Sequence, residues 1–223
     1  MSTDRGWLAL RLEGPLQSWG FDSQYNRRST GLMPTKSAIA GMCCAAIGAD
    51  RGSEEERQFL AKFIHLCMLG VAIPRQVRAR PLEVRRLQDY HTIQNTRKAD
   101  GSLKDCHITN RHYLTDASFG AILSGNPAFL NELAPCLRDP TWGLWLGRKT
   151  CIPTAPVFVG VFDSQEAALK PLLGDVPLER YAHQVEVASF ADGRDSLSDQ
   201  PRSFLSSNRE FAPRRVRTVP GKE

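Results

Sequence analysis

The sequence predicts an α+β fold with a ferredoxin-like core, a protruding basic β-hairpin and a basic C-terminal extension. Three observations predict it. Strand-like and helix-like segments recur as strand, helix, strand and again strand, helix, strand, the split βαβ order. Helix-cap chemistry stands at the expected starts, at Thr35, Ser53, Asn126 and Ser164. The positive charge is segregated: residues 75–115 hold nine Arg/Lys against four Asp/Glu, and residues 201–223 hold six against two. These give expected bounds of 1–190 for the core, with the hairpin inserted at about 75–113, and 191–223 for the extension.

Taken in order, residues 7–12 form a short apolar run that reads as a strand buried on at least one face. The Gly14-Pro15 loop and a polar, Arg-bearing stretch lead to Thr35, which caps a helix over 36–47. Ser53 with Glu56 three residues on is a capping box. It opens a second helix in which Phe59, Leu60, Phe63, Ile64 and Cys67 follow the helical period. A strand starts at Val71. Strand-like stretches at 87–93 and 108–114 flank the turn dipeptide Asp100-Gly101, which predicts an extended hairpin. Residues 113–123 read as a strand. Pro127 in a first helical turn starts a helix to about Leu137. Residues 142–146 and 156–162 read as strands on either side of a basic turn at 147–150. Ser164 caps a helix over 165–172, and residues 183–190 alternate as a strand.

Composition narrows the function. A chain of 223 residues with 41% hydrophobic residues can bury a full core. A net charge of +5 and a pI near 9.0 favour an anionic partner, nucleic acid first. The six cysteines form no Cys-x-x-Cys pair and read as small hydrophobes of a reducing compartment. Asp4 and Arg5 interrupt any secretory pattern, and no run reaches 18 apolar residues. The expectation is a cytoplasmic protein without membrane contact.

Gly31-x-x-x-Thr35-Lys36-Ser37 is not a nucleotide-hydrolysing phosphate loop, because Thr35 stands where that loop needs Gly and Pro34 stiffens the turn. Two readings remain for it: plain helix capping, or a helix N-terminus whose Lys36 and Ser37 hold one backbone phosphate of a polymer. His107 and His112, five apart, share neither a strand face nor a helix face, which argues against a metal site. Tyr90, His91, Lys104, Arg111 and the two histidines suit contacts to RNA backbone and bases. The same residue types can also serve as acid and base in metal-free RNA cleavage. Trp19, Trp142 and Trp145 read as packing residues. The tail arginines, Arg202, Arg209, Arg214, Arg215 and Arg217, are interspersed with Phe204, Phe211 and Val216, so the tail is expected to dock, with contact to RNA or a partner left open.

A chain-wide pattern accompanies these motifs. Arg11-Leu12-x-Gly14-Pro15-Leu16-Gln17-Ser18-Trp19-Gly20 and Arg28-x-Thr30-Gly31-x-x-Pro34-Thr35-Lys36-Ser37-x-x-x-Gly41 are followed by Arg86-Leu87-Gln88-Asp89-Tyr90-His91-Thr92. Gly147-Arg148-Lys149-x-Cys151-x-Pro153 and Phe211-Ala212-Pro213-Arg214-Arg215 complete it. This resembles the CasD family of CRISPR-associated proteins, the subunits that bind the crRNA 5′ handle in type I-E Cascade. The resemblance implies a RAMP-type, RNA-recognition-like core with a thumb hairpin, no catalytic residues, no cofactor and no metal. It implies as partners the crRNA 5′ handle, the backbone subunit and the Cascade large subunit, with target DNA reached through the complex. Phosphate neutralisation is expected from Arg27, Arg28, Lys36, Arg148 and Lys149, with Ser37 beside them at the helix start. Tyr90, His91, Lys104 and Arg111 on the hairpin are expected to wedge against a nucleotide. The competing expectation is a metal-independent endoribonuclease acting on CRISPR repeat RNA.

Overall fold

Burial along the first strand sets the layers. In β1 (Gly6–Glu13), Leu8, Leu10 and Leu12 are fully buried on one side and Ala9 on the other, so both faces of the sheet are covered. The structure, a computed structural model, describes residues 5–20, 23, 26–77, 80–98, 100–189 and 191–222.

The short strands β2 (Leu16–Gln17) and β3 (Arg27–Arg28) precede α1 (Lys36–Ile47). Thr35 caps α1 by accepting from the Ala38 amide, and Gly48 ends it in the left-handed region at φ +76. In α2 (Glu54–Phe63) the Ser53 hydroxyl accepts from the Glu56 amide. The Glu56 carboxylate returns to Gly52 N at 3.2 Å, one residue before the position an ideal capping box uses. β4 (Cys67–Ala72) follows, then the two-residue pair β5 (Gln76–Val77) and β6 (Arg80–Pro81). β7 (Arg85–Arg97) and β8 (Leu103–Thr115) form a hairpin of two 13-residue strands whose turn carries Gly101 at φ +82. Then come β9 (Ser118–Gly125), α3 (Pro127–Arg138), β10 (Phe158–Phe162), α4 (Gln165–Leu173), β11 (His183–Glu186), β12 (Asp195–Ser203) and β13 (Glu210–Val219).

The main sheet is antiparallel with strand order β10-β1-β9-β4-β11-β13-β12. The first four of these come from two strand–helix–strand runs, one carrying α1 and α2 between β1 and β4 and the other α3 between β9 and β10. Side chains of α1, α2 and α3 pack with Leu8, Leu10, Leu12, Met68 and Leu123 on one face. Ala168, Leu172 and Leu173 of α4 pack with Ala9, Leu69, Val71 and Ile122 on the other.

Four expectations are corrected. Cys67, read as part of the second helix, instead starts β4, so that strand begins four residues before Val71 and α2 stops at Phe63. Residues 142–146 form no strand: Leu146 enters the core while Trp142 and Trp145 are exposed, an alternation produced by a loop without a pairing partner. Residues 113–123 do not form one strand, because Asp116, at φ +55, turns the chain out of β8, in the hairpin's sheet, into β9 in the main sheet. The strand expected over 183–190 stops at Glu186, and Phe190, its expected end, lies outside the described residues. The C-terminal segment docks, as its interspersed apolar residues imply. It does so as β12 and β13, which extend the main sheet, with Val216 fully buried.

A buried ionic network fastens these last strands to α1. Lys36 Nζ meets both carboxylate oxygens of Glu186 at 3.0 Å and donates to the Leu66 carbonyl. The Glu186 carboxylate also accepts from Met68 N at 3.1 Å and lies 3.8 Å from Arg214. Arg214 donates twice to Asp199, at 2.6 and 2.9 Å, and Asp199 accepts from the Lys36 amide at 2.8 Å. Two cations thus meet two anions, and one carboxylate also sits at the α1 N-terminus, where the helix dipole favours it.

Candidate nucleic-acid interface

A groove of about 640 Å³ opens beside the first turns of α1. One wall comes from the segment after β1. Gln17, fully buried, donates to the Leu12 and Ala117 carbonyls at 2.9 and 2.7 Å and accepts from the Trp19 indole at 3.1 Å. Trp19 in turn stands edge-on to Phe119 with ring centres 6.3 Å apart. This Gln–Trp pair is core structure, and it holds Ser18 where the basic turn can lie against it. Ser18 N donates to the Leu146 carbonyl at 3.0 Å. Gly147 then passes so close, at φ +98, that any Cβ there would lie 1.9 Å from the Ser18 carbonyl oxygen. Only glycine meets both demands.

The opposite wall is the loop between β12 and β13. Phe204 and Phe211 meet edge-on at 6.1 Å, and the Phe204 amide donates to Glu56 at 3.0 Å. The loop at 142–145 supplies Trp142 and Trp145, 43% and 36% exposed, and is pinned to the end of α1 by Thr141 N to Ala46 O and Trp142 N to Ala45 O. The cations on the groove are Arg28, Arg51, Arg148, Lys149 and Arg209. The Glu56 carboxylate is engaged by two backbone amides. Aromatic faces among cations can stack bases and neutralise phosphates together.

The sequence-predicted residues divide into three sets. Arg28, Ser37, Arg148 and Lys149 line the groove. Tyr90, His91, Lys104 and Arg111 stand along the hairpin. Tyr90 is 64% exposed; His91, its strand neighbour, points to the opposite face and lies 3.7 Å from Asp89. Lys104 Nζ is 3.3 Å from His107 Nδ1, and Arg111 donates to Thr109 at 3.1 Å. Arg27 and Arg28 link the two locations, because β3 pairs in parallel with β8 and sets them opposite Asn110 and Arg111. Lys36 belongs to neither. It is fully buried on Glu186, so the expectation that it neutralises phosphate is corrected: its ammonium faces the protein interior. Burial also lowers its pKa from the ordinary lysine value, against the opposing pull of Glu186.

Arg51 is a groove residue that the sequence did not single out; Arg209, Phe204 and Phe211 come from the tail expected to dock, and Trp142 and Trp145, read as packing residues, are exposed on the groove instead. Phenylalanines among the tail arginines were the one available signal, since a freely solvated tail has no use for them. The thiols nearby are inert: burial pushes Cys44 up to about 12, and raises Cys43 and Cys151 as well. Among the described residues, no group of three or more His, Cys, Asp or Glu is placed to hold a metal, and no helix is long and apolar enough to cross a membrane.

Comparison with known proteins agrees with this architecture along the whole chain. The family model described as CRISPR-associated protein (Cas_Cas5) matches residues 7–217. The CRISPR system Cascade subunit CasD of Escherichia coli (strain K12) is 31% identical over 214 residues, covering 91% of this chain and 93% of that protein. A chain of a solved CRISPR RNA-guided surveillance complex is 29% identical with a TM-score of 0.75, over 96% of this chain and 90% of that one. A crystal structure of a Cas protein, also 29% identical, has a TM-score of 0.67 over 97% and 98%. With a family model spanning all but the chain ends and a relative alike over nine-tenths of both lengths, this protein belongs to the Cas_Cas5 family of CRISPR-associated proteins.

Proposed function

We propose that this chain is a non-catalytic RNA-binding subunit of a Cascade-type surveillance complex. It grips the 5′ handle of the crRNA and caps the backbone filament next to the large subunit. On this reading β10-β1-β9-β4 is a ferredoxin-like, RAMP-type core, and the β7–β8 hairpin is its thumb. The observation that carries the proposal is the groove, where five cations and four aromatic side chains gather from four separate stretches of chain. The sheet face that α4 covers is closed to bases, which supports the groove and the hairpin as the RNA path. Likeness to a protein named as a Cascade subunit supports the assembly part of the reading.

The test is binding of a short single-stranded RNA handle as salt is varied. Five neutralised phosphates give a slope of log K against log salt of roughly −3.5. Lys149→Ala and Arg209→Ala should each weaken binding and make the slope shallower by about 0.7. A slope near zero removes the electrostatic basis of the proposal. Incubation with CRISPR repeat RNA in EDTA should leave the RNA intact; cleavage lost on His91→Ala or Lys104→Ala would replace this reading with the endoribonuclease.

A further inference from the structure

The β3–β8 ladder is only two residues long, Arg27 against Asn110 and Arg28 against Arg111. Past Arg28 the chain turns away, and the next carbonyl on β8, that of His112, lies where a continuing strand would have donated. The Arg148 guanidinium stands in that place. Its Nη1 donates to the His112 carbonyl at 3.1 Å and its Nη2 to the Arg28 carbonyl at 2.9 Å. Its plane lies over the Tyr113 ring, 4.7 Å from the ring centre. One side chain from the basic turn thus joins the last residue of β3 to the root of the hairpin.

Other ties also hold that root, where Tyr113 and Leu114 are buried in the main core. β2 pairs with Leu114 and Thr115, the Asn110 amide donates to the Asn26 carbonyl at 2.8 Å, and Ser18 Oγ donates to the His112 carbonyl at 3.3 Å. Beyond residue 110 toward the tip, the ladder of each hairpin strand is the other strand. We propose that Arg148 is a positioning residue that sets the angle of the hairpin against the groove, and that this bracket, beyond its charge, is what RNA binding needs from it. The consequence for RNA rests on the function proposed above; the bracket itself does not.

Lysine separates the two roles. It keeps the charge at 148, but its ammonium cannot hold two carbonyls in a planar fork while stacking on a ring. Arg148→Lys should raise amide exchange about ten-fold at residues 26–28 and 110–113 in the RNA-free protein, while exchange in α1 and β9 stays as in wild type. It should weaken handle binding about ten-fold and leave the salt slope unchanged. Tyr113→Leu, which removes the ring and keeps the arginine, should loosen the same amides. Lys149→Ala, one residue away, should lower the salt slope without loosening them. Wild-type exchange in Arg148→Lys overturns the bracket. Raised exchange with unchanged affinity overturns its role in binding. If the wild-type chain itself binds no handle RNA, the function proposed above falls and the bracket is judged on exchange alone.

Discussion

Lys36 shows how a residue in a phosphate-binding context becomes a structural one. It stands at a helix N-terminus, where a cation is unfavourable, so its side chain must find compensation elsewhere. Glu186 and the Leu66 carbonyl supply it. Removing the ammonium leaves the partly buried Glu186 carboxylate with the Met68 amide and, 3.8 Å away, Arg214 as its remaining cation. Lys36→Met should therefore cost about 3 kcal/mol in urea unfolding and leave the salt slope of RNA binding as in wild type. The pH dependence has a definite sign. A lysine whose pKa is lower in the folded state releases its proton on folding as pH rises toward 10.5, so wild type gains stability relative to Lys36→Met across that alkaline range. The reverse trend in pH-dependent unfolding would show an ion pair stronger than its desolvation. None of this was legible in the sequence, because Glu186 and Asp199 lie 150 and 163 residues from Lys36. The caps at Thr35, Ser53, Asn126 and Ser164 were legible, since each acts within three residues of itself.

Elements defined by local chemistry were readable, and elements defined by a partner were not. The hairpin announced itself through Asp100-Gly101 and two flanking strand-like runs. Residues 142–146 carried a similar apolar run and formed a loop, because no strand pairs with them. Alternation reports which side chains are buried; only a neighbouring strand makes that a sheet. Between those cases sits the groove, whose basic turn was legible as Gly147-Arg148-Lys149 while its Phe204–Phe211 wall was not. The hairpin also has a stability signature. Exposed Leu87, Tyr90, Ile93, Leu103 and Ile108 add little to the core, and the root is held at residues 110–115. Replacing residues 91–109 by Asn-Gly, closed on the Tyr90–Asn110 pair, should shift the thermal midpoint by only a few degrees and still reduce handle binding. A loss of cooperative melting would mean that the hairpin is part of the folding unit.

At the scale of the whole molecule, the last two strands finish three structures at once. They cover the edge of β11, they bring Asp199 and Arg214 to the buried network, and they carry Phe204, Arg209 and Phe211 to the groove. Composition presents residues 191–223 as a basic appendage, because a net positive charge is visible in a sequence and the partner that buries one of those arginines is not. Ending the chain at residue 190 would take Arg214 away from Glu186 and the Asp199 carboxylate away from the start of α1. It would also expose an unpaired strand edge, which invites association between chains. The shortened chain should lose its cooperative urea transition and sediment as aggregates, where the full chain unfolds in one step. If residues 1–190 instead unfold with the full-length midpoint, the ionic network adds nothing to the core, and the C-terminal strands serve the groove alone.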